Sequence, residues 1–327
     1  MTKIQRIILS YTPFPFLLRK SRKWHLWGFE GLPLYDVIQF FRRQVRQQSL
    51  VERASAISYN FIMALPPSLL FLFTLIPNLP FISRRSIKFQ LHSLIFDMIP
   101  AKEYNKQVIT FIDTFIDGNK IGLLSFGLLL SLFFASSGMM GIMRSFDKGY
   151  LGFEKRKRIQ MRGTALKLTA LIFGLLFAYL ILLIMQGALL KVMIHSSSIR
   201  QVVFYTRWVL IIFLVFFTIG FIFRYAPAIP ERWRFASPGT ILTTALSLLA
   251  SLGFSAYVNN FGRYNALYGS IGTIMMVMAL IYLNSLALLI GFELNVSIHS
   301  LKVAAMLREE KAAQDALEKK AGIKGTG

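Results

Sequence analysis

A chain of 327 residues with 55% hydrophobic side chains, 16% charged side chains and a mean hydropathy of +0.55 is too apolar and too poor in charge for an ordinary soluble domain. The absence of cysteine excludes disulfides, thiolate metal sites, iron–sulfur clusters and cysteine nucleophiles. A net charge of +22 suits a nucleic-acid binder or a membrane protein with cationic cytoplasmic segments, and the placement of the charges decides between them.

In chain order, residues 1–53 form a basic arm. Its apolar run around Ile7, Phe14 and Leu17 is too interrupted for a signal-peptide core. The arm reads as amphipathic pieces lying on the bilayer surface, or as a partly disordered basic tail. Six stretches then reach the roughly 20 apolar residues that a membrane span requires: 54–77, 121–143, 168–190, 202–223, 239–258 and 270–292. None shows the polar face that a soluble helix would repeat at a period near 3.6. Between the first two, Ile87, Leu91, Leu94, Ile95 and Met98 share one helical face, and Tyr104, Val108, Phe111, Ile112 and Phe115 share another. The expected fold class is therefore all-α: a polytopic transmembrane bundle of six spanning helices, with amphipathic surface helices (about 86–117) in the first outer loop. The division is a cytoplasmic arm 1–53, a transmembrane domain 54–292 and a cytoplasmic tail 293–327.

The cations orient the chain. With both termini inside, 26 Lys and Arg fall in cytoplasmic segments against 9 outside, and Lys167 and Arg207 sit at helix ends. This distribution accounts for most of the net charge without a nucleic acid. The run Lys155-Arg156-Lys157-Arg158 is suited to anionic lipid headgroups. Membrane lipids are the expected partners, no nucleic acid is expected, and the pattern leaves room for a homo-oligomer. The expected location is the inner membrane of a bacterium.

Within the spans, Gly239, Thr243, Ser247, Ser251 and Ser255 recur at i+4 along the fifth. Gly127, Ser131 and Ala135 do so in the second, and Ala287 and Gly291 in the sixth. Such stripes permit close helix crossings, or they line a water-accessible path. Pro66-Pro67 in the first span predicts a kink or a break, with Tyr59 and Asn60 just before it. Broken helices are common around transporter sites. Glu293 ends the sixth span with Asn284 nine residues earlier, and Arg224 closes the fourth. An acid there is a functional candidate by default, or else the partner of a cytoplasmic cation such as Arg53 or Arg224. The candidate cavity or substrate path is thus Tyr59, Asn60, Pro66, Pro67, Ser247, Ser251, Arg224, Asn284 and Glu293.

Several motifs together resemble the YihY/BrkB family, which carries a "ribonuclease BN-like" label. They are Glu52-Arg53-Ala54-Ser55-Ala56-Ile57-Ser58-Tyr59-Asn60 running into Ala64-Leu65-Pro66-Pro67, then Arg234-Phe235-Ala236-Ser237-Pro238-Gly239, Tyr268-Gly269-Ser270-Ile271-Gly272 and Gly291-Phe292-Glu293-Leu294-Asn295. The resemblance covers about residues 37–300 and implies a six-span bacterial inner-membrane protein. Asn60 and the doubled proline depart from the family's pattern.

Hydrolysis of a phosphodiester calls for clustered metal-binding carboxylates or histidines, or a positioned acid–base pair. His25, His92, His195 and His299 are scattered, no HExxH or Walker A motif occurs, and Glu309-Glu310 lies in a charged tail. The sequence therefore argues against a ribonuclease, against any catalytic constellation, and against a metal or cofactor. Two functions remain: a transporter or flippase of an amphipathic or lipid-like substrate, or a non-transporting protein that organises lipids or partners. The first expects a polar cavity between helices, and the second a tight bundle with its polar groups paired off.

Overall fold

The computed structural model describes residues 28–75, 109, 110, 113, 121–193, 197–260 and 263–324. Among the described residues all regular structure is α-helical: α1 (Leu34–Gln47), α2 (Leu50–Leu75), α3 (Ile121–Phe146), α4 (Arg158–Met193), α5 (Ser197–Tyr225), α6 (Pro238–Asn260) and α7 (Arg263–Lys324). The all-α expectation holds. Among the described residues, five stretches are long and apolar enough to cross a membrane: Ser125–Phe146, Arg158–Tyr179, Trp208–Tyr225, Pro238–Tyr257 and Ile274–Asp315. The first of the six expected spans falls in α2, whose side chains are described only through residue 68. The predicted outer helices at about 86–117 lie outside the described residues, apart from 109, 110 and 113.

Two elements depart from simple expectation. α2 runs as one helix through Pro66 and Pro67, so the doubled proline does not break it. Each proline lacks an N–H, which removes the helical donor from the carbonyls of Ile62 and Met63. α7 has 62 residues and, at 1.5 Å per residue, is about 93 Å long, three times the hydrocarbon thickness of a bilayer. Its length follows from composition: residues 294–321 contain neither Gly nor Pro, and Ala, Leu, Glu and Lys favour the helix. The sixth span thus continues without interruption into the charged tail.

The chain divides into two compact units. The first comprises the described parts of Met1–Ala56, Arg144–Lys157 and Val215–Gly327. In it α6 and α1 both pack on α7. α1 carries Asp36 in its first turn and Arg46 in its last, each complementing the helix dipole. Its Val37 is fully buried with Phe29 and Ile298, flanked by Leu32, Leu34, Leu294 and Leu301. Phe146, Phe223 and Phe292 form the centre of the unit, the Phe146 and Phe292 rings stacked within 1° of parallel. Between α3 and α4 the chain turns through Gly149 (φ +69) and Gly152 (φ +82). Both φ values lie in the left-handed region that glycine adopts without penalty. A Cβ on Gly152 would in addition lie 2.9 Å from His299 Nε2.

The second unit comprises the described parts of Ile57–Met143 and Arg158–Leu214. Here α3 approaches α2 at Gly141, where a Cβ would lie 2.8 Å from Asn60 Nδ2. Arg162 of α4 reaches α3, donating to Ser137 Oγ at 3.0 Å and the Phe133 carbonyl at 3.3 Å, with its guanidinium 4.4 Å from the Phe133 ring centre.

Candidate functional site

Glu293 is the centre of the first unit's polar core, with no exposed side-chain surface. It lies on α7 directly after Phe292, inside the aromatic cluster. Arg53, in the first turn of α2 and 4% exposed, donates from Nη1 to Glu293 Oε1 at 2.5 Å. The Tyr150 hydroxyl donates to the same oxygen at 2.6 Å. Tyr150 comes from the glycine-flanked turn, and its ring meets Phe292 edge-on at 5.8 Å. Burial and the Glu293 charge push the Tyr150 hydroxyl well above its ordinary value, so it stays a neutral donor.

The centre is incompletely satisfied. Arg53 Nε and Nη2 and Glu293 Oε2 are buried and have no hydrogen-bond partner in the protein. An ion pair removed from water is stable only when its remaining valences are also met. Three open valences therefore make this cluster able to take a further polar partner, either water or part of a ligand.

A second polar cluster joins α6 to α7. Asn295 Oδ1 accepts from the Gly239 N–H at 2.8 Å, and Asn295 Nδ2 donates to Ser237 Oγ at 2.8 Å. Ser237 also accepts from the Thr240 N–H at 3.2 Å and caps α6 as Ser-Pro openings do. One turn on, Thr243 donates to the Ala287 carbonyl at 3.4 Å. A Cβ on Gly239 would collide with the Gly291 carbonyl oxygen, and one on Gly291 with Thr243 Oγ1. The i+4 stripe is thus a close helix crossing at Gly239, Thr243 and Gly291. Ser247 is still buried, whereas Ser251 and Ser255 are exposed on α6.

The remaining expected path residues are distributed. Tyr59 is 59% exposed and Pro66 is exposed, while Asn60 and Pro67 are half-buried in the second unit. Asn284 donates to the Leu280 carbonyl of its own helix at 2.9 Å. Arg224 is half-buried with its guanidinium 4.6 Å from the Phe235 ring centre, and its Nε has no partner. Of the two cations suggested for Glu293, Arg53 takes the place and Arg224 does not. Tyr150 was not anticipated; its only sequence signal is an aromatic between two turn glycines. In the basic run, Arg156 is engaged: Nη1 donates to the Tyr225 and Ala226 carbonyls and Nη2 to that of Pro227. Lys155, Lys157 and Arg158 are exposed. No group of three His, Asp or Glu that could hold a metal occurs among the described residues.

The family description "Virulence factor BrkB" matches residues 41–316, which includes Arg53, Tyr150, Glu293 and Asn295. The chain belongs to the BrkB family. The BrkB-family chain is 30% identical over 254 residues to YfkH of Bacillus subtilis, covering 76% of this chain and 90% of that one. YfkH carries a ribonuclease-like name. This chain is also 24% identical over 319 residues to a UPF0761 membrane protein of Tolumonas auensis, covering 93% of this chain and 98% of the relative. A UPF0761 membrane protein of Stenotrophomonas maltophilia is 35% identical over 86 residues, 20% of that relative's length. No solved structure matches the chain. These relatives agree with the apolar helices in making this BrkB-family member an integral membrane protein.

Proposed function

We propose that the protein is a transporter or flippase of an amphipathic or lipid-like substrate. The observation that carries this reading is the buried Arg53–Tyr150–Glu293 centre with its three open polar valences. A charge pair kept only for stability is dispensable, because apolar side chains of similar volume often pack as well or better. Ionisable groups buried in membrane bundles commonly mark substrate or ion paths. In this reading the chain sits in a bacterial inner membrane with both termini cytoplasmic. Lys155, Lys157 and Arg158 meet anionic headgroups there, and no reaction is catalysed. Among the described residues no group of three His, Asp or Glu could hold a metal, and this reading does not take up the ribonuclease-like name of YfkH.

A specific observation favours the second reading, a non-transporting protein that organises lipids or partners. Asn284 is spent on its own helix, and the Gly239–Gly291 crossing is closed. The test is reconstitution into proteoliposomes with a headgroup-labelled fluorescent phospholipid, following the rate at which dithionite bleaches the inner leaflet. Transport predicts acceleration by the wild-type chain and its loss in Glu293→Gln. Single cysteines at positions 59, 60, 247, 251 and 284 report water access in the same vesicles. A folded protein that neither accelerates exchange nor labels at these positions would instead support the organising role.

A further inference from the structure

A cleft of about 630 Å³ opens within the first unit beside the start of α6 and the middle of α7. It is lined by the Gly28–Gly31 turn, residues 231–234 and 236–238, and the face of α7 that carries Asn295 and Lys302. From this lining we propose that the cleft is a binding site for a phosphate ester, held chiefly by Arg232 and Arg234.

The charge distribution selects the ligand. Lys302 is committed to Glu30 at 2.9 Å and Glu231 at 3.5 Å. Both carboxylates are solvent-exposed, so their field is screened. Arg232 and Arg234 have no ion-pair partner among the described residues. They stand two apart in a non-helical segment, both exposed, with Trp233 between them turned half inward against Phe223 and Phe292. The Arg232 guanidinium lies 4.9 Å from the Tyr225 ring centre, which limits its freedom. Both arginines line the cleft, and guanidinium forks match the oxygens of a phosphate better than those of a neutral ligand. The positive end of the α6 dipole adds to them. Its first amides are already taken by Asn295 and Ser237, so the site recognises charge through side chains and not through a backbone cradle.

The Gly28–Gly31 turn that lines the cleft is built, not incidental. Gly28 (φ +85), Glu30 (φ +50) and Gly31 (φ +81) all adopt left-handed backbone, which is unusual for the glutamate. Phe29 anchors the turn in the core, and Lys302 pins Glu30. Backbone outliers held in place by surrounding contacts cluster at ligand sites.

This inference deepens the transport reading by naming the substrate's polar end. Because it is tested by binding alone, its failure and the failure of transport are separately visible. The ester is either a soluble phosphate metabolite or a phospholipid headgroup. With Trp24, Trp27 and Trp208 replaced by Phe, Trp233 becomes the reporter in the full chain, purified in a sugar detergent. Fluorescence is titrated with sn-glycerol 3-phosphate, and separately with phosphatidylglycerol in mixed micelles. The melting temperature of the unaltered chain, measured with the same probes, serves as a second readout. A saturable response to glycerol phosphate, weakened tenfold or more in R232Q/R234Q and partly kept in R232K/R234K, supports the proposal with a soluble source. The same pattern with phosphatidylglycerol alone supports a lipid source. No saturable response to either probe, or an equal response in R232Q/R234Q with an unchanged melting temperature, overturns it.

Discussion

Arg53 Nη1 and Glu293 Oε1 stand 2.5 Å apart although 240 positions separate the residues in sequence, and both side chains are buried. The pair fastens the beginning of α2 to α7. Removing one partner strands the other charge out of water, so Arg53→Ala or Glu293→Ala is expected to lower stability by about 3–5 kcal/mol. The combined variant Arg53→Met, Tyr150→Phe, Glu293→Leu removes every polar group together and should recover most of that loss. Thermal unfolding in detergent, followed by circular dichroism, measures both. A triple variant as unstable as either single one would show that the charge pair is not the cause.

Tyr150 supplies the pH dependence. Its hydroxyl is raised in the fold by burial first and by the Glu293 charge second. A group whose value is raised on folding stabilises the fold fully below its unfolded value, here 10.0, and loses that contribution as the pH climbs past it. Melting temperature should therefore fall above about pH 10 more steeply in the wild-type chain than in Tyr150→Phe. Difference absorbance of the phenolate supplies the check: one tyrosine should ionise only as the protein unfolds. Parallel melting profiles for the two proteins would remove Tyr150 from the account.

The α6–α7 crossing gives a steric prediction. Gly239→Ala and Gly291→Ala drive a methyl group into a carbonyl oxygen or a threonine hydroxyl across the interface. Overpacking of this kind costs about 1–3 kcal/mol, and more where backbone must move. Gly253 lies on the same helix with open space around its Cβ direction, so Gly253→Ala should be neutral or stabilising. The fraction of monodisperse protein left after a heat step, read by size exclusion, separates the three variants.

Hydropathy alone made the helical membrane class legible, because a 20-residue apolar run has few alternatives. The i+4 rule also gave the crossing face, yet it could not say where along that face contact ends. Gly239, Thr243 and Ser247 are buried, whereas Ser251 and Ser255, on the same stripe, are exposed. Glu293 stood out as a lone acid at a span boundary, and Arg53 was one of two cations proposed for it. Choosing Arg53 over Arg224 needed three-dimensional distance, since Arg224 instead stacks on Phe235. Tyr150 was invisible for the same reason: its role depends on the turn at Gly149 and Gly152 aiming the ring at α7. At the doubled proline, propensity predicts a kink or a break, and α2 passes through Pro66 and Pro67 as one helix, so the break does not occur.

The run Lys155-Arg156-Lys157-Arg158 reads as four equivalent cations, but the fold divides their roles. Arg156 is partly buried, and its guanidinium closes three carbonyls at the end of α5 and just beyond it, those of Tyr225, Ala226 and Pro227. Burial first, and then the charge of Arg232, lower its value from the usual arginine range. Arg156→Gln should therefore destabilise the protein by about 1.5–3 kcal/mol, the worth of charge-assisted bonds to backbone. Arg156→Lys should restore only part, because an ammonium cannot span three acceptors as a planar fork does. Lys155 and Arg158 are exposed, so Lys155→Gln with Arg158→Gln should leave the melting temperature unchanged. If they face anionic lipid, the same double variant should weaken recruitment of phosphatidylglycerol about fivefold per charge removed, whereas Arg156→Gln should not. Melting curves and lipid retention, measured side by side, distinguish these roles. Equal lipid loss in both variants would mean that Arg156 acts at the surface as Lys155 and Arg158 do.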